Sequence, residues 1–170
     1  TLPEDDTLWD IQEAGQQLLA EHGYLQYEVS AYARAGHQAQ HNLNYWSFGD
    51  FIGIGAGAHG KLSSPSGQIV RTWKTRLPKD YLDPDKAFLA GERALTSEEL
   101  PFEFLMNVLR LNDGCSSALF TQRTGLPLSV LSTARAEAEA RGLLLRDPQR
   151  LTASREGQLF LNDLLQYFLT

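Results

Sequence analysis

Cysteine is almost absent from this sequence. Cys115 stands alone among 170 residues, which excludes an intramolecular disulfide and any cysteine-rich zinc or iron-sulfur site held by these residues alone. Long apolar runs are missing too. The most hydrophobic stretches, such as that around Phe51 to Ala58, are interrupted by glycine, so no membrane-spanning segment is expected. Positive charge is in deficit: 15 Lys and Arg against 21 Asp and Glu leave a formal net charge of -6. That balance disfavours binding to a phosphate backbone by bulk electrostatics. Leu2 to Asp6 carry neither a basic n-region nor an apolar h-region. No signal peptide is therefore expected, and a cytoplasmic location is the expectation. The first residue is threonine, and the start reads as cut from a longer chain. No internal repeat or low-complexity tract is evident.

What is present is an alternation of helical and extended patterns. Leu8, Ile11, Gly15, Leu18, Leu19 and His22 follow helical spacing, with Thr7 and Asp10 at capping-box separation and Gly23 as a stop, predicting a helix over 7–22. Residues 24–30 then alternate, with Leu25, Tyr27 and Val29 on one side of a short strand and Glu28 on the other. The polar stretch 33–47 reads as a loop and 51–58 as the next strand. Ser63 to Gly67 form a turn between 60–62 and 69–73, predicting a hairpin. A polar bridge with Pro78 and Pro84 follows. Thr96 or Ser97 ahead of Glu98 and Glu99 predicts a helix start running to about Leu111. Helices over 116–124 and 127–141 are each closed by a glycine, Gly125 and Gly142. Two short strands, 143–146 and 150–152, flank a turn. A last helix from about Ser154 places Leu159, Phe160, Leu164, Leu165 and Phe168 on its apolar face.

Three segments carry the residue types of a site. His41-Asn42-Leu43-Asn44-Tyr45-Trp46 combines an imidazole that can ligate iron, an amide that can orient it, and aromatic faces that can line a flat apolar ligand. Backbone hydrogen bonding by His41 and Asn42 with core packing by Tyr45 and Trp46 is the plainer alternative. Gly53, Gly55 and Gly57 alternate ahead of His59, so either a ligand or another backbone can come close; the run fits neither a Walker loop nor a dinucleotide fingerprint. Glu28 is read first as solvated, with a pocket carboxylate as the alternative. No constellation for nucleophilic catalysis is visible, and Cys115 reads as a buried small residue. Over 97–170 there are seven Arg and no Lys against nine acidic residues. A groove-inserting recognition helix at 127–141 is thus disfavoured relative to packing or protein contact.

Tyr27-Glu28-Val29-Ser30-Ala31-Tyr32-Ala33, His41 through Trp46 and Gly53 through His59, in this order and spacing, resemble the HemW-type haem chaperones. These are relatives of oxygen-independent coproporphyrinogen III oxidase. The resemblance runs over nearly the whole chain, including Pro101-Phe102-Glu103-Phe104 and Leu159-Phe160-Leu161-Asn162. It implies an α/β fold: the C-terminal strands and helices of an incomplete radical-SAM (β/α) barrel over 1–80, a linker over 81–96, and a small α+β winged-helix-like domain over 97–170. By the same resemblance, His41, Asn42, Tyr45 and Trp46 form a haem-binding motif with His41 on the iron, while Gly53, Gly55 and Gly57 approach S-adenosylmethionine in the full-length protein. The half bearing the three cysteines for a 4Fe-4S cluster is missing here. The implied role is to bind haem and pass it to acceptors such as respiratory proteins, the fragment itself not being catalytic. Two other readings stay open: oxidative decarboxylation of coproporphyrinogen III, and a winged-helix nucleic-acid binder.

Overall fold

The structure, a computed structural model, describes residues 2–169. Helix α1 spans Asp5–Glu21, two residues earlier than Thr7, with Asp5 and Asp6 placing negative charge in its first turn and no side-chain cap. Gly23, at φ 79°, turns the chain out of it. No α1 residue is buried; Leu8, Trp9, Ile11 and Leu18 lie open. β1 (Leu25–Glu28) pairs antiparallel with β2 (Ala31–Ala33), and the register slips between Gln26 and Glu28. That bulge inverts the expected alternation: Glu28 is 2% exposed whereas Val29 is 38% exposed. The solvated reading of Glu28 is therefore corrected.

Two further expectations fail between residues 33 and 58. The stretch 33–47, expected as loop, opens on the last residue of β2 and contains a seven-residue helix, α2 (Gln40–Trp46). The expected strand 51–58 is reduced to one bridge, Phe51 to Lys61. Gly55 at φ 109° and Gly57 at φ 71° take the backbone into the left-handed region, where no strand continues. The hairpin was read correctly: β3 (His59–Ser63) pairs antiparallel with β4 (Ile69–Lys74), Ser63 opposite Ile69. α3 (Pro78–Tyr81) follows, and β5 (Leu89–Ala94), not anticipated, completes a three-stranded antiparallel sheet of order β3-β4-β5. Residues 81–96, expected as a linker, hold this strand.

α4 (Leu100–Val108) is preceded by a reciprocal capping box: Glu99 accepts from the Thr96 amide at 2.9 Å, and Thr96 Oγ1 accepts from the Glu99 amide at 3.4 Å. β6 (Cys115–Ser116) leads into α5 (Ser117–Thr124), capped by Ser116 and ended by Gly125 at φ 73°. A 3-10 turn, Leu128–Leu131, feeds α6 (Ser132–Ala140). β7 (Arg150–Leu151) pairs with β6 rather than with 143–146, which contributes one bridge, Leu144 to Ala153. The last helix is broken at Phe160 into α7 (Arg155–Leu159) and α8 (Leu161–Gln166). Leu164, Leu165 and Phe168 are buried as expected, but the break leaves Leu159 and Phe160 half-exposed.

The architecture is mixed α/β, with no closed barrel among the described residues. After residue 95 the elements run α4, β6, α5, a 3-10 turn, α6, β7, α7 and α8, and strand β6 falls between the first two helices where the expected order had none; the strand pairing amounts to a two-residue ladder and a single bridge. One core runs through both halves. Phe104 of α4 is fully enclosed between Phe48 at 5.5 Å and Phe120 at 5.3 Å, ring edge to face, and Ile69 of β4 joins the same cluster. Arg71 of β4 bonds Glu103 of α4 at 2.5 Å, tying the sheet to the same helix. Burying each such phenylalanine contributes about 1.5–3 kcal/mol, so the residues around α4 fix what lies on them.

Candidate functional site

α2 lies on that platform, packed against α4. Its residues four apart share a face. On one face Asn42 donates from Nδ2 to the Tyr27 hydroxyl at 3.2 Å, and the Trp46 ring lies 4.3 Å beneath the Arg110 guanidinium carbon. On the neighbouring face are His41 and Tyr45. His41 is exposed, and its imidazole makes no hydrogen bond or ion pair among the described residues. Tyr45 packs edge-on against Trp46 and tilted against Phe51, each at 4.6 Å between ring centroids. Thus α2 has an anchored side and a free side, and the only imidazole in the helix is on the free side. His37, by contrast, turns Nδ1 to the Ala35 carbonyl at 3.0 Å.

Beyond α2 the chain makes a tight corner. Phe48 sits at φ 56°, and Gly49 leaves no room for a side chain because a Cβ there would fall 2.1 Å from Asn44 Oδ1. Asp50 then accepts Lys61 Nζ at 2.8 Å and the Ser63 amide and hydroxyl at 2.9 Å each. Burial raises the Asp50 carboxyl, but the hydrogen bonds from Lys61 and Ser63 outweigh it and hold it below the usual value. Lys61 is 2% exposed with its ammonium 4.3 Å over the Phe48 ring. Burial pulls its pKa down, against the pull of Asp50.

The three glycines differ. A Cβ on Gly53 would lie 2.2 Å from the His59 carbonyl oxygen, so Gly53 exists for backbone packing against β3. Gly55 has nothing within 4 Å of its missing Cβ, and its amide donates to the Tyr81 hydroxyl at 3.1 Å. The Gly57 amide closes onto the Thr75 carbonyl at 2.9 Å. Tyr27, Arg110 and Tyr81 all serve this region; Tyr27 heads the segment singled out above, whereas no local pattern in the sequence singles out Arg110 or Tyr81.

Residues 95–160 match the family model of the HemN C-terminal domain. The chain is 48% identical over 168 residues to "Heme chaperone HemW" of Escherichia coli, covering 99% of this chain and 44% of that protein. With "Heme chaperone HemW" of Haemophilus influenzae the identity is 46%, with the same two coverages. Residues 95–160 are thus similar to the HemN C-terminal domain, and nearly the whole chain is similar to these HemW relatives. The chain spans less than half the length of these curated relatives. Its backbone also matches the solved coproporphyrinogen III oxidase (HemN) from Escherichia coli, described as a radical SAM enzyme, with a TM-score of 0.69 at 16% identity over 99% of this chain and 42% of that one. At that identity the match shows the shared fold.

The residues fit some groups and not others. Burial pushes the Cys115 thiol up to about 12, against a weaker pull from Arg150. It is a neutral core residue, not an iron-sulfur ligand. Among the described residues no three His, Cys, Asp or Glu side chains are grouped to hold a metal ion. A cluster does not fit these residues. A porphyrin asks less, because its own ring supplies four nitrogens and one axial imidazole suffices. On α6, Arg135 is spent within the protein, on Glu139 at 2.7 Å and on the Asp147 carbonyl, rather than presented to a groove. No helix among the described residues is long and apolar enough to cross a membrane.

Proposed function

We propose that the chain is the C-terminal part of a radical-SAM-family haem chaperone, a cytoplasmic protein that binds haem on α2 and passes it to acceptor proteins. His41 supplies the axial nitrogen, Tyr45 and Trp46 supply flat walls, and Asn42 fixes the helix through Tyr27. The supporting observation is the exposed imidazole with no hydrogen-bond partner, on a helix anchored by its opposite face. A ligand in that setting suits delivery: an acceptor's own donor can approach the iron from the open side and replace the imidazole without unfolding the carrier.

In this reading residues 1–80 close a barrel whose other half lies upstream, and 97–170 form the second domain. The coverage of under half of each curated relative supports this. S-adenosylmethionine and the 4Fe-4S cluster would supply radical chemistry in the full-length protein. The glycine segment would wall the cofactor's site, Gly55 and Gly57 more closely than Gly53, whose open side is taken by His59. The acceptor class favoured is haem-containing respiratory proteins. Chaperone is preferred to oxidase because the identity to the chaperones is 48% and to the oxidase 16%.

Haem titration of the full-length protein tests the assignment. His41→Ala is expected to abolish the ligand-dependent Soret shift and to weaken binding by about tenfold or more, roughly 1.4 kcal/mol. An unchanged spectrum and affinity would sink it.

A further inference from the structure

Arg110 lies in the turn two residues beyond α4, inside the segment that matches the HemN C-terminal domain, yet nearly everything it touches belongs to the other half of the chain. Its Nη2 reaches Glu28 Oε2 at 3.3 Å and Ser30 Oγ at 3.0 Å. Its guanidinium carbon stands 4.3 Å over the ring of Trp46. Its backbone carbonyl accepts from the Val29 amide at 3.1 Å, and the next residue but one, Asn112, donates its amide to Tyr27 at 3.1 Å and its side chain to Gln26 at 2.8 Å. Tyr27 in turn receives Asn42 of α2. One short segment therefore grips β1 and the anchored face of α2 together.

The burial of these groups shows that the contact is not incidental. Glu28 is 2% exposed, and a buried carboxylate persists only when paired. A flat guanidinium can bond a carboxylate in its plane while stacking its face on an indole, which an ammonium cannot do. Arg110 uses both at once. Its Nε and the Trp46 Nε1 are buried without an acceptor, a cost accepted on both sides of the stack.

We propose that Arg110, held by Glu28, is a positioning residue for the haem-binding helix, so that the HemN C-terminal domain sets where His41 stands. Arg110 does not touch the cargo; it acts through Trp46. The functional consequence rests on the haem reading, but the positioning itself does not.

The test uses the full-length protein carrying Glu28→Gln together with Arg110→Met, a pair that leaves no buried charge unpaired. Without haem, hydrogen exchange is measured at the bonded amides of Leu43 to Gly49 and, as reference, along α5 and α6. Exchange about tenfold faster over 43–49 with the reference unchanged supports positioning; unchanged exchange at 43–49, or the same acceleration everywhere, overturns it. With haem, the variant's Soret spectrum should move to that of His41→Ala although His41 is intact. A wild-type spectrum in the bound fraction overturns the link from Arg110 to His41. If His41→Ala itself changes nothing while the exchange effect persists, the haem reading fails and the positioning role stands.

Discussion

Replacing Asp50 with alanine removes the sole ionic partner of Lys61 among the described residues; the Lys61 side chain is 2% exposed. The ammonium would be left against the Phe48 ring alone. Breaking a fully enclosed pair costs about 3–5 kcal/mol. Here the Asp50 side chain is 41% exposed, so water can take over part of its role. The expected loss is thus about 2–3 kcal/mol at pH 7, or about 5–10 °C in melting temperature for a chain of this size. The pH dependence has a definite sign. Burial depresses the folded pKa of Lys61 below its unfolded value, and removing Asp50 depresses it further. Between those two pKa values the unfolded chain binds more protons than the folded one, so the variant gains stability as pH rises through that window. The difference from wild type should therefore shrink from pH 7 to pH 10, where calorimetry at both values reads it directly. Adding Lys61→Met to the variant should restore much of the loss at pH 7. On the acid side, Asp50's lowered pKa gives wild type a contribution present above the unfolded value and lost as pH falls through the folded one. A loss below about 0.5 kcal/mol at pH 7, or one that does not change with pH, would refute the reasoning.

Two further outcomes follow from burial and backbone packing. Because the Cys115 thiol is pushed up to about 12, only about one molecule in ten thousand carries the thiolate at pH 8, so iodoacetamide should label it in urea and not in the native protein; rapid native labelling would contradict the burial. Gly53→Ala should cost about 1–3 kcal/mol, since the new Cβ meets a carbonyl oxygen of β3 at 2.2 Å. Gly55→Ala, strained only by its φ of 109°, should cost about 1 kcal/mol, and equal melting temperatures for the two variants would show the close approach to be unimportant.

How far the sequence could be read depended on whether a feature was local. α1 announces itself through periodicity and α5 through its closing glycine, and Gly23, Gly125 and Gly142 mark chain reversals because a left-handed residue is needed at each. The Thr96 and Glu99 capping box is equally local. α2 escapes the same reading because seven residues rich in Gln, His and Asn have little helical preference; it forms on contacts from Tyr27 and Arg110 that no window around it contains. β5 escapes because Leu89-Ala90-Gly91-Glu92-Arg93-Ala94 lacks a buried face; what defines it is pairing with β4. The run 51–58 was misread for the opposite reason. Its apolar residues imitate a buried strand, yet Ile52 and Ile54 are 72% and 84% exposed, and the glycines bend the chain away. At the site, the His41 motif is visible in its residue types and again through family resemblance, whereas neither the bulge that buries Glu28 nor the arginine that meets it is visible in the sequence.

The same distinction bears on how the proposed haem site would work. A helix of two turns is not stable by itself, so the place of His41 in space is a property of what α2 rests on. Below it lie the Phe48, Phe104 and Phe120 stack and the Arg110 contact, most of it contributed by α4 and α5. Beside it the corner at Phe48 and Gly49 is pinned by Asp50 to Lys61 and Ser63. Each of these restraints acts on the anchored face or the end of the helix, and none touches the imidazole. Under the proposed haem reading a carrier needs this combination: were His41 itself hydrogen-bonded into the core, it would hold iron in fixed geometry but could not be displaced cheaply, and were α2 unsupported, the ligand would be free but misplaced. In that reading, restraining the helix while leaving its ligand unbonded separates accuracy of placement from ease of release.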